Sequence, residues 1–559
     1  MLSESFSTLR DLGRLQEIAS VLIHYGFGEM LMRLGVRQVL EKAGRKLRWK
    51  YAAEQARLEM PQRVRMALEE MGPTFIKLGQ IMGTRVDLFP PDWIRELEKL
   101  QRRVPPVHFD SLRRELESDL GAPVERMFAR FDFRPLAAAS IAQVHRARLH
   151  DGTEVVVKIR RPGIQRVVDA DLRLMDKLAK LLEFEFPELE NFHPREIVRQ
   201  FGLSIHREMN FVNECRNTDR MGDLFRDDPS IVIPRIYWDY VNERVAVQDY
   251  IEGVTGLDPG AVEAAGLDRR VLAAVGARAV LRMILVEGFF HADPHDGNLL
   301  YLPGNRIAFI DFGMTGRLSA TRRNQVVNLL YGIIEQDAPG TADVLLDWSG
   351  ASDVDPDRLI VDMDNFIDSY HGAPLKQISL TDMLSDLTRL MRQHHLSLPS
   401  DLALLFRALV ALDGMGRQND PDFDIFTETA PFLEQVLKAR YEPRALAVRG
   451  WRNVAQLVEI FASMPAELRR LLRSAHKGTL TFNIDLSRLD YFGWQLERAA
   501  SWLAIGLVTA ALIVSSSILM TIAGGPTPFS LIGFVAASGG VLWLFFSIWK
   551  ISRARRRKM

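Results

Sequence analysis

Residues 499–549, between Arg498 and Lys550, contain no charged residue, and this stretch restricts the fold more than any other feature of the sequence. The sequence GGPTP divides it into two apolar segments, 502–523 and 529–549, each close to the roughly 20 residues that a helix needs to cross a bilayer. A helical hairpin buried in a soluble core is the alternative, but soluble helices rarely lack charge over such a length. The stretch therefore predicts two transmembrane helices.

The residues around this hairpin predict its orientation. Trp502, Trp543 and Trp549 lie near the segment ends, where a membrane interface favours aromatic residues. The tail 550–559 is basic, and basic flanks stay in the cytoplasm. Because two crossings return the chain to the same side, the domain before Arg498 is expected to be cytoplasmic as well.

The composition argues against a nucleic-acid partner and excludes two kinds of cysteine site. Lysine plus arginine (71) balances aspartate plus glutamate (71), so we expect no nucleic-acid partner. Cys215 is the only cysteine, which excludes an internal disulfide and a cysteine-based zinc site. A single thiol also favours a reducing compartment.

The first two regions of the chain are predicted to be helical. Residues 1–60 contain an apolar stretch at 15–36 that fits a membrane-surface helix and an ordinary packing helix equally well. Residues 61–133 form a further helical extension, which contains GPTFIKLGQ.

Two lobes of different composition follow the extension. Residues 134–255 hold short β-rich runs around a helical insert at 169–226, and the step Asp151-Gly152 predicts a hairpin between the first two runs. Residues 256–490 are mainly helical, apart from a second hairpin in NLLYLPGNRIAFIDFG. This order predicts an α+β, two-lobed fold like that of protein kinases, with a helical N-terminal extension and a C-terminal transmembrane hairpin.

The strongest chemical signal is HADPHDGNLLYLPGNRIAFIDFG at 291–313. Asp293 and Asn298 have four residues between them, and Asp311 opens Asp-Phe-Gly, as in the metal-binding and catalytic motifs of phosphoryl transfer. Asn298 and Asp311 are oxygen ligands suited to Mg²⁺, and Asp293 would orient an acceptor hydroxyl or water. A transition-metal site from His291, Asp293 and His295 is the alternative, although His291 is expected to pack and hold the loop.

Lys158 ends the apolar run EVVVK, where a buried strand would aim its ammonium group at nucleotide phosphates. An edge-strand lysine in water is the alternative. A phosphate-binding lysine needs a carboxylate partner on a helix, and the insert offers Glu208 and Glu214. These two do not share a helical face, so at most one can be the partner if the helix is continuous.

The loop before Lys158 is rich in alanine where kinases place glycine. Its small residues, Ala137, Ala138, Ala139 and Ser140, would let the backbone approach phosphate oxygens closely. Alanine strongly disfavours positive φ, so such a loop would be stiffer than a glycine loop and offer different N–H groups. The pattern favours a modified nucleotide-binding loop over a turn that binds nothing.

These motifs together resemble those of the UbiB-type atypical kinases, a protein-kinase-like family linked to ubiquinone biosynthesis. The similarity runs over about residues 60–330 and rests on Lys77-Leu78-Gly79-Gln80, the alanine-rich loop, VVVKIRRPGI, Glu214 with Asn217, HADPHDGN and DFG. The membrane hairpin is similar to that of bacterial members.

The resemblance implies roles for residues outside the kinase motifs. Glu214 would pair with Lys158, and Lys77 would reach over the active site towards an E-x-D motif. Here that motif ends in Asn210, so Glu208 alone would carry its charge contact. The segment from Lys77 to Gln80 would have a regulatory role, filling the groove where a protein kinase lays its peptide.

The resemblance further implies a membrane-anchored enzyme at the cytoplasmic face of a bacterial inner membrane. It would bind ATP and Mg²⁺ as a phosphotransferase or ATPase, with polyprenyl quinone precursors, membrane lipids or ubiquinone biosynthetic proteins as partners. A nucleotide-binding pseudokinase scaffold is the alternative. A true protein kinase is less favoured, because no A-P-E sequence follows Asp311.

Overall fold

The computed structural model describes residues 9–34, 58–83, 89–100, 105–185, 194–256, 258–349, 354–370 and 379–425, with a few further residues up to 539. The chain divides into two compact units, Met1–Leu446 and Ala447–Met559. Every predicted site residue lies in the first unit.

The described part of the helical extension packs its apolar faces into one core. Leu15, Ile18 and Ile23 recur at helical spacing, are buried, and share this core with residues of the following helices and of the insert. The apolar face of the stretch 15–36, which also fitted a membrane surface, is thus covered by protein. The helices are α1 (Leu9–His24), α2 (Gly28–Arg33), α3 (Met60–Met71), α4 (Pro73–Met82) and α5 (Pro91–Glu98).

The small lobe begins with two helices and three antiparallel strands. These are α6 (Phe109–Leu120), α7 (Val124–Met127), β1 (Arg130–Ala138), β2 (Ala142–Arg148) and β3 (Glu154–Arg160). Gly152 has φ +92° in the turn between β2 and β3, which confirms the hairpin predicted from Asp151-Gly152.

The first strand corrects a prediction. The helical extension was expected to reach residue 133, but β1 already begins at Arg130 and pairs with β2. Phe131 and Phe133 alternate with polar residues, which is the two-residue period of a strand. The signal was present, but it spans too few residues to stand out beside the preceding helices.

Three helices make up the insert after β3, and they confirm its predicted helical character. They are α8 (Ile164–Glu185), α9 (Pro194–Glu208) and α10 (Phe211–Leu224). Helix α9 ends at Glu208 and α10 begins at Phe211, so the chain changes direction between the two candidate carboxylates. β4 (Ile231–Val232) and β5 (Val245–Asp249) follow, and β5 completes a four-stranded sheet of order β1-β2-β3-β5.

The large lobe has small strands beside the catalytic motifs and a mainly helical body. β8 and β9 form the second predicted hairpin, in a sheet of order β4-β9-β8-β6, and β7 pairs with β10. The short β6, β7 and β10 were not predicted, because two or three residues carry no readable period. The strands are β6 (Val254–Thr255), β7 (Phe289–His291), β8 (Leu299–Leu302), β9 (Arg306–Phe309) and β10 (Thr315–Arg317).

The helices of this lobe enclose its core, which includes the fully buried Phe290, Phe309 and Phe312 next to the catalytic motifs. They are α11 (Pro259–Ala264), α12 (Arg269–Leu281, continued by a π-helical turn at Arg282–Glu287), α13 (Ala320–Ile334), α14 (Ala338–Ser349), α15 (Pro356–Tyr370), α16 (Leu380–Gln393) and α17 (Ser400–Asn419).

The predicted transmembrane hairpin falls mostly outside the described residues. Within it, residues 508–518 are helical. No described helix combines the length and the apolar character needed to cross a bilayer.

Candidate functional site

Lys158 forms a tight ion pair with Glu214 between the small-lobe sheet and helix α10. On β3, Val157 and Ile159 point into the small-lobe core, so the alternation of the strand directs Lys158 to the opposite face. Its Nζ lies 2.7 Å from both carboxylate oxygens of Glu214, and 5.3 Å from the centre of the Phe211 ring. Burial lowers the pKa of Lys158, but the carboxylates of Asp311 and Glu214 outweigh it and raise the pKa above its usual value. The lysine is therefore held charged.

Asp311 joins this pair from the large lobe. Its Oδ2 lies 3.5 Å from Lys158 Nζ, and its Oδ1 accepts a hydrogen bond of 2.8 Å from the Gly313 N–H. Burial would raise the pKa of Asp311, but Lys158 and the Gly313 N–H outweigh this effect and lower it well below its usual range. Asn217 on α10 also donates to the Phe312 carbonyl at 3.2 Å. Helix α10 thus contacts both Lys158 and the Asp-Phe-Gly segment.

Because the helix is interrupted between α9 and α10, both candidate carboxylates form an ion pair with a lysine. Glu214 contacts Lys158, and Glu208 forms a separate ion pair with Lys77 of α4. Asn210 caps α10, because its side-chain oxygen accepts from the Val212 N–H at 3.1 Å. Asn210 therefore has a local structural role at the helix break, and it is not itself a partner in the ion pair of Lys77 with Glu208.

The loop after β7 holds Asp293 next to the buried His291. His291 is fully buried against Phe312, with ring centres 5.4 Å apart, and its Nδ1 accepts from the Asp293 N–H at 3.1 Å. Asn298 donates from Nδ2 to the Asp293 carbonyl at 3.2 Å. His291 packs and holds the loop, as the sequence predicted.

Arg407 of α17 contacts Asp293, and the sequence did not predict this contact. Its Nη2 lies 2.8 Å from Asp293 Oδ1, and its Nη1 is 3.5 Å from the backbone carbonyl of Gln80 in α4. One guanidinium group thus joins the predicted catalytic carboxylate to the helix that carries Lys77. No local pattern marks Arg407, because its partners are 114 and 327 residues away.

The residues predicted to hold Mg²⁺ suit that ion. Asp311 is held ionised, and Asn298 uses its amide nitrogen on the loop, which leaves its side-chain oxygen available as a ligand. Among the described residues no group of three His, Cys, Asp or Glu side chains is arranged as a metal site, and this includes His291, Asp293 and His295. Two protein ligands are typical of Mg²⁺ sites completed by phosphates and water.

The alanine-rich loop forms the tip of the hairpin between β1 and β2. Ala139 N–H donates to the Ala142 carbonyl at 2.8 Å, and none of residues 137–140 has a positive φ. Within the described part of the chain, the N–H groups of Ser140 and Ile141 have no hydrogen-bond acceptor. Lys158 lies at the same end of the hairpin, opposite Val144 on β2. The loop is therefore placed beside the lysine without the backbone conformations that glycine would allow.

Comparisons with known proteins match most of the chain. Models of the ABC1 atypical kinase-like domain, the UbiB helical domain and the ABC1/UbiB kinase-like C-terminal domain match residues 99–345, 363–424 and 487–550. A "Probable protein kinase UbiB" of Xanthomonas campestris is 33% identical, over 84% of this chain and 86% of that protein. Its namesake from Marinobacter nauticus is 36% identical, over 74% and 76%. "Protein ACTIVITY OF BC1 COMPLEX KINASE 7, chloroplastic" of Arabidopsis thaliana is 33% identical, over 83% and 65%.

Proposed function

The chain belongs to the ABC1/UbiB family of atypical kinase-like proteins, and we propose that it binds Mg²⁺-ATP and transfers or hydrolyses the terminal phosphate in support of ubiquinone biosynthesis. The observation that carries this proposal is the cluster of Lys158, Glu214 and Asp311, in which the lysine lies 2.7 Å from one carboxylate and 3.5 Å from the other. Such a lysine is poised to contact phosphates, because Glu214 fixes its position and the contact with Asp311, at 3.5 Å, is long enough to yield one donor to a phosphate oxygen.

The remaining residues of the site would each have a separate role in phosphoryl transfer. Asn298 and Asp311 would hold Mg²⁺, which when bound neutralises the charge of the phosphates. The backbone at Ala137–Ser140 would border the phosphates, with its small side chains permitting close approach. Asp293 would orient the acceptor hydroxyl or a water molecule once Arg407 shifts or shares its carboxylate.

The proposed substrate explains the proposed anchor. A polyprenyl quinone precursor stays in the bilayer, so a catalytic domain tethered by residues 499–549 would meet it more often. We place the protein at the inner membrane with its catalytic domain in the cytoplasm. Its partners would be quinone precursors, membrane lipids or the ubiquinone biosynthetic enzymes.

One contact favours a second candidate function, a nucleotide-binding scaffold without phosphoryl transfer. Asp293 is paired with Arg407 at 2.8 Å, so the guanidinium group occupies a carboxylate oxygen that an acceptor hydroxyl would otherwise approach. The same arginine contacts Gln80 of α4, the helix that we propose fills the groove where a protein kinase lays its peptide. Both features argue against peptide phosphorylation, and only the first separates a scaffold from an enzyme.

Quinone and precursor lipid profiling separates the enzyme from the scaffold. A deletion strain would be complemented with the wild type, Asp293→Asn, Lys158→Met and a control, Asp422→Asn, at an exposed residue far along the sequence from the motifs. We expect Asp293→Asn and Lys158→Met to lower quinone output and accumulate a precursor, while the control stays normal. Normal quinone with Asp293→Asn but not with Lys158→Met would favour the scaffold. Normal quinone with both would contradict both functions.

A further inference from the structure

We propose that Arg161 and Gln143 fasten the alanine-rich loop to the strap Pro105–Val107, so that this strap sets how the loop receives nucleotide. The strap is the segment that enters α6, and it follows Leu100 at the end of the extension by five residues. The consequence for nucleotide rests on the proposed function, whereas the fastening itself does not.

Arg161 ties the tip of the loop directly to the strap. Its Nε donates to the Ala139 carbonyl at 2.8 Å, and its Nη2 donates to the Pro105 carbonyl at 2.9 Å. Its backbone N–H also donates to the Ile141 carbonyl at 2.8 Å. Arg161 therefore contacts the loop on both sides of Ser140, and one planar guanidinium group fixes the distance between loop and strap.

Gln143, the second residue of β2 and three residues beyond the loop, makes the second attachment. Its side chain is fully buried, accepts from the Val107 N–H at 3.0 Å and donates to the Val107 carbonyl at 3.2 Å. The same amide nitrogen contacts His145 Nε2 at 3.0 Å. Because Pro105 and Pro106 restrict the backbone between the two attachments, the strap is a stiff connector.

Leu100, the last described residue before the strap, lies in the core of the helical extension. Leu100 packs against Gly79, so closely that a Cβ atom at residue 79 would overlap the leucine side chain. Gly79 belongs to the helix whose Lys77 pairs with Glu208. The strap thus begins five residues after a residue that packs against the helix of Lys77.

Hydrogen–deuterium exchange on the full-length protein in detergent tests the fastening without any nucleotide. Arg161→Gln removes the side-chain contacts to Ala139 and Pro105. Gln143→Leu removes the contacts to Val107 and places an apolar side chain of similar size in the same buried position. Gln143→Leu also removes the contact with His145 Nε2. In both variants we expect about tenfold faster exchange in peptides covering 105–109 and 137–142. Arg148→Gln, at the opposite end of β2 from Gln143, is the control, and its loop should exchange like that of the wild type.

Nucleotide titration of the same proteins then tests the consequence. We expect the ratio of ATP to ADP affinity to change at least threefold in Arg161→Gln, with the control unchanged. Wild-type exchange of the loop in both folded variants would overturn the fastening, and a faster loop with an unchanged affinity ratio would overturn its control of nucleotide. A wild type that binds no nucleotide would instead refute the proposed function, while the exchange result still decides the fastening.

Discussion

At the scale of single residues, His145 is a buried base held neutral in the small lobe. Its Nδ1 lies 2.9 Å from the Asp132 carbonyl, and its Nε2 lies 3.0 Å from the amide nitrogen of Gln143. Because the carbonyl needs a donor and the amide nitrogen is one, the neutral ring with its proton on Nδ1 satisfies both contacts. Burial lowers the pKa of His145, and the neighbouring Asp132 offsets only part of this effect.

This histidine predicts a pH dependence of stability. In the unfolded state the histidine pKa is about 6.5, and in the folded state the pKa of His145 is lower. The contribution of the neutral His145 to folding stability is therefore fully present above about pH 6.5 and is lost as the pH falls below it. We expect the melting temperature to fall from pH 7.5 to pH 5.5, with at most about 1.4 kcal/mol per pH unit from this residue. His145→Gln should flatten the dependence in a thermal melt. His150→Gln, in the exposed turn of the same hairpin, should keep it, and an unchanged slope in His145→Gln would refute the assignment.

The resemblance implied the contacts of Glu214 with Lys158 and of Glu208 with Lys77, and the structure confirms both. Lys158, Asp293, Asn298 and Asp311 were identified because the spacing between phosphoryl-transfer groups is local and fixed by the chemistry. The sequence alone allowed one carboxylate of the insert as a partner of Lys158, because a continuous helix would separate Glu208 and Glu214. The helix break, with Asn210 as the new cap, is what lets Glu208 contact Lys77 while Glu214 contacts Lys158.

At the scale of elements, α4 approaches its neighbours closely because residue 79 has no side chain. A Cβ atom there would overlap Leu100 and lie 2.8 Å from Leu68 Cδ1. Glycine in a helix ordinarily costs stability, so its presence here is explained by packing. The glycine of the Lys77–Gln80 segment is therefore a packing requirement of the extension.

Gly79→Ala tests this close packing. We expect a loss of about 1–3 kcal/mol of stability, because the added methyl group overpacks a buried contact. Gly414→Ala in α17 is the matched control, since its Cβ would meet no atom within 4 Å. The control should gain up to about 1 kcal/mol from helix propensity. Equal stability of the two variants in chemical denaturation would contradict the packing account.

Elements were predictable where a period or a turn signal was long enough to read. The two hairpins followed from Asp151-Gly152 and from NLLYLPGNRIAF, and the insert was predicted as one long helical region between the β-rich runs. β1 and the three-residue β7 and β10 were missed, because their pairing depends on partners in space and not on a local period.

At the scale of the whole molecule, the contacts that join the extension to the two lobes were beyond local prediction. Arg407 reaches Asp293 across 114 residues and Gln80 across 327. Arg161 reaches Pro105 across 56 residues. Such contacts depend on how the helices pack, so the sequence predicted two lobes and an extension but not the side chains that connect them.

We propose above all that the cluster of Lys158, Glu214 and Asp311 binds a Mg²⁺–nucleotide complex. The most direct measurement is the thermal shift of the purified full-length protein with ATP or ADP, in Mg²⁺ and in EDTA, for the wild type, Asp311→Asn and Asp293→Asn. We predict a Mg²⁺-dependent stabilisation in the wild type and in Asp293→Asn, and none in Asp311→Asn, because an amide is a poorer ligand for the ion. The same Mg²⁺-dependent shift in Asp311→Asn would contradict the account.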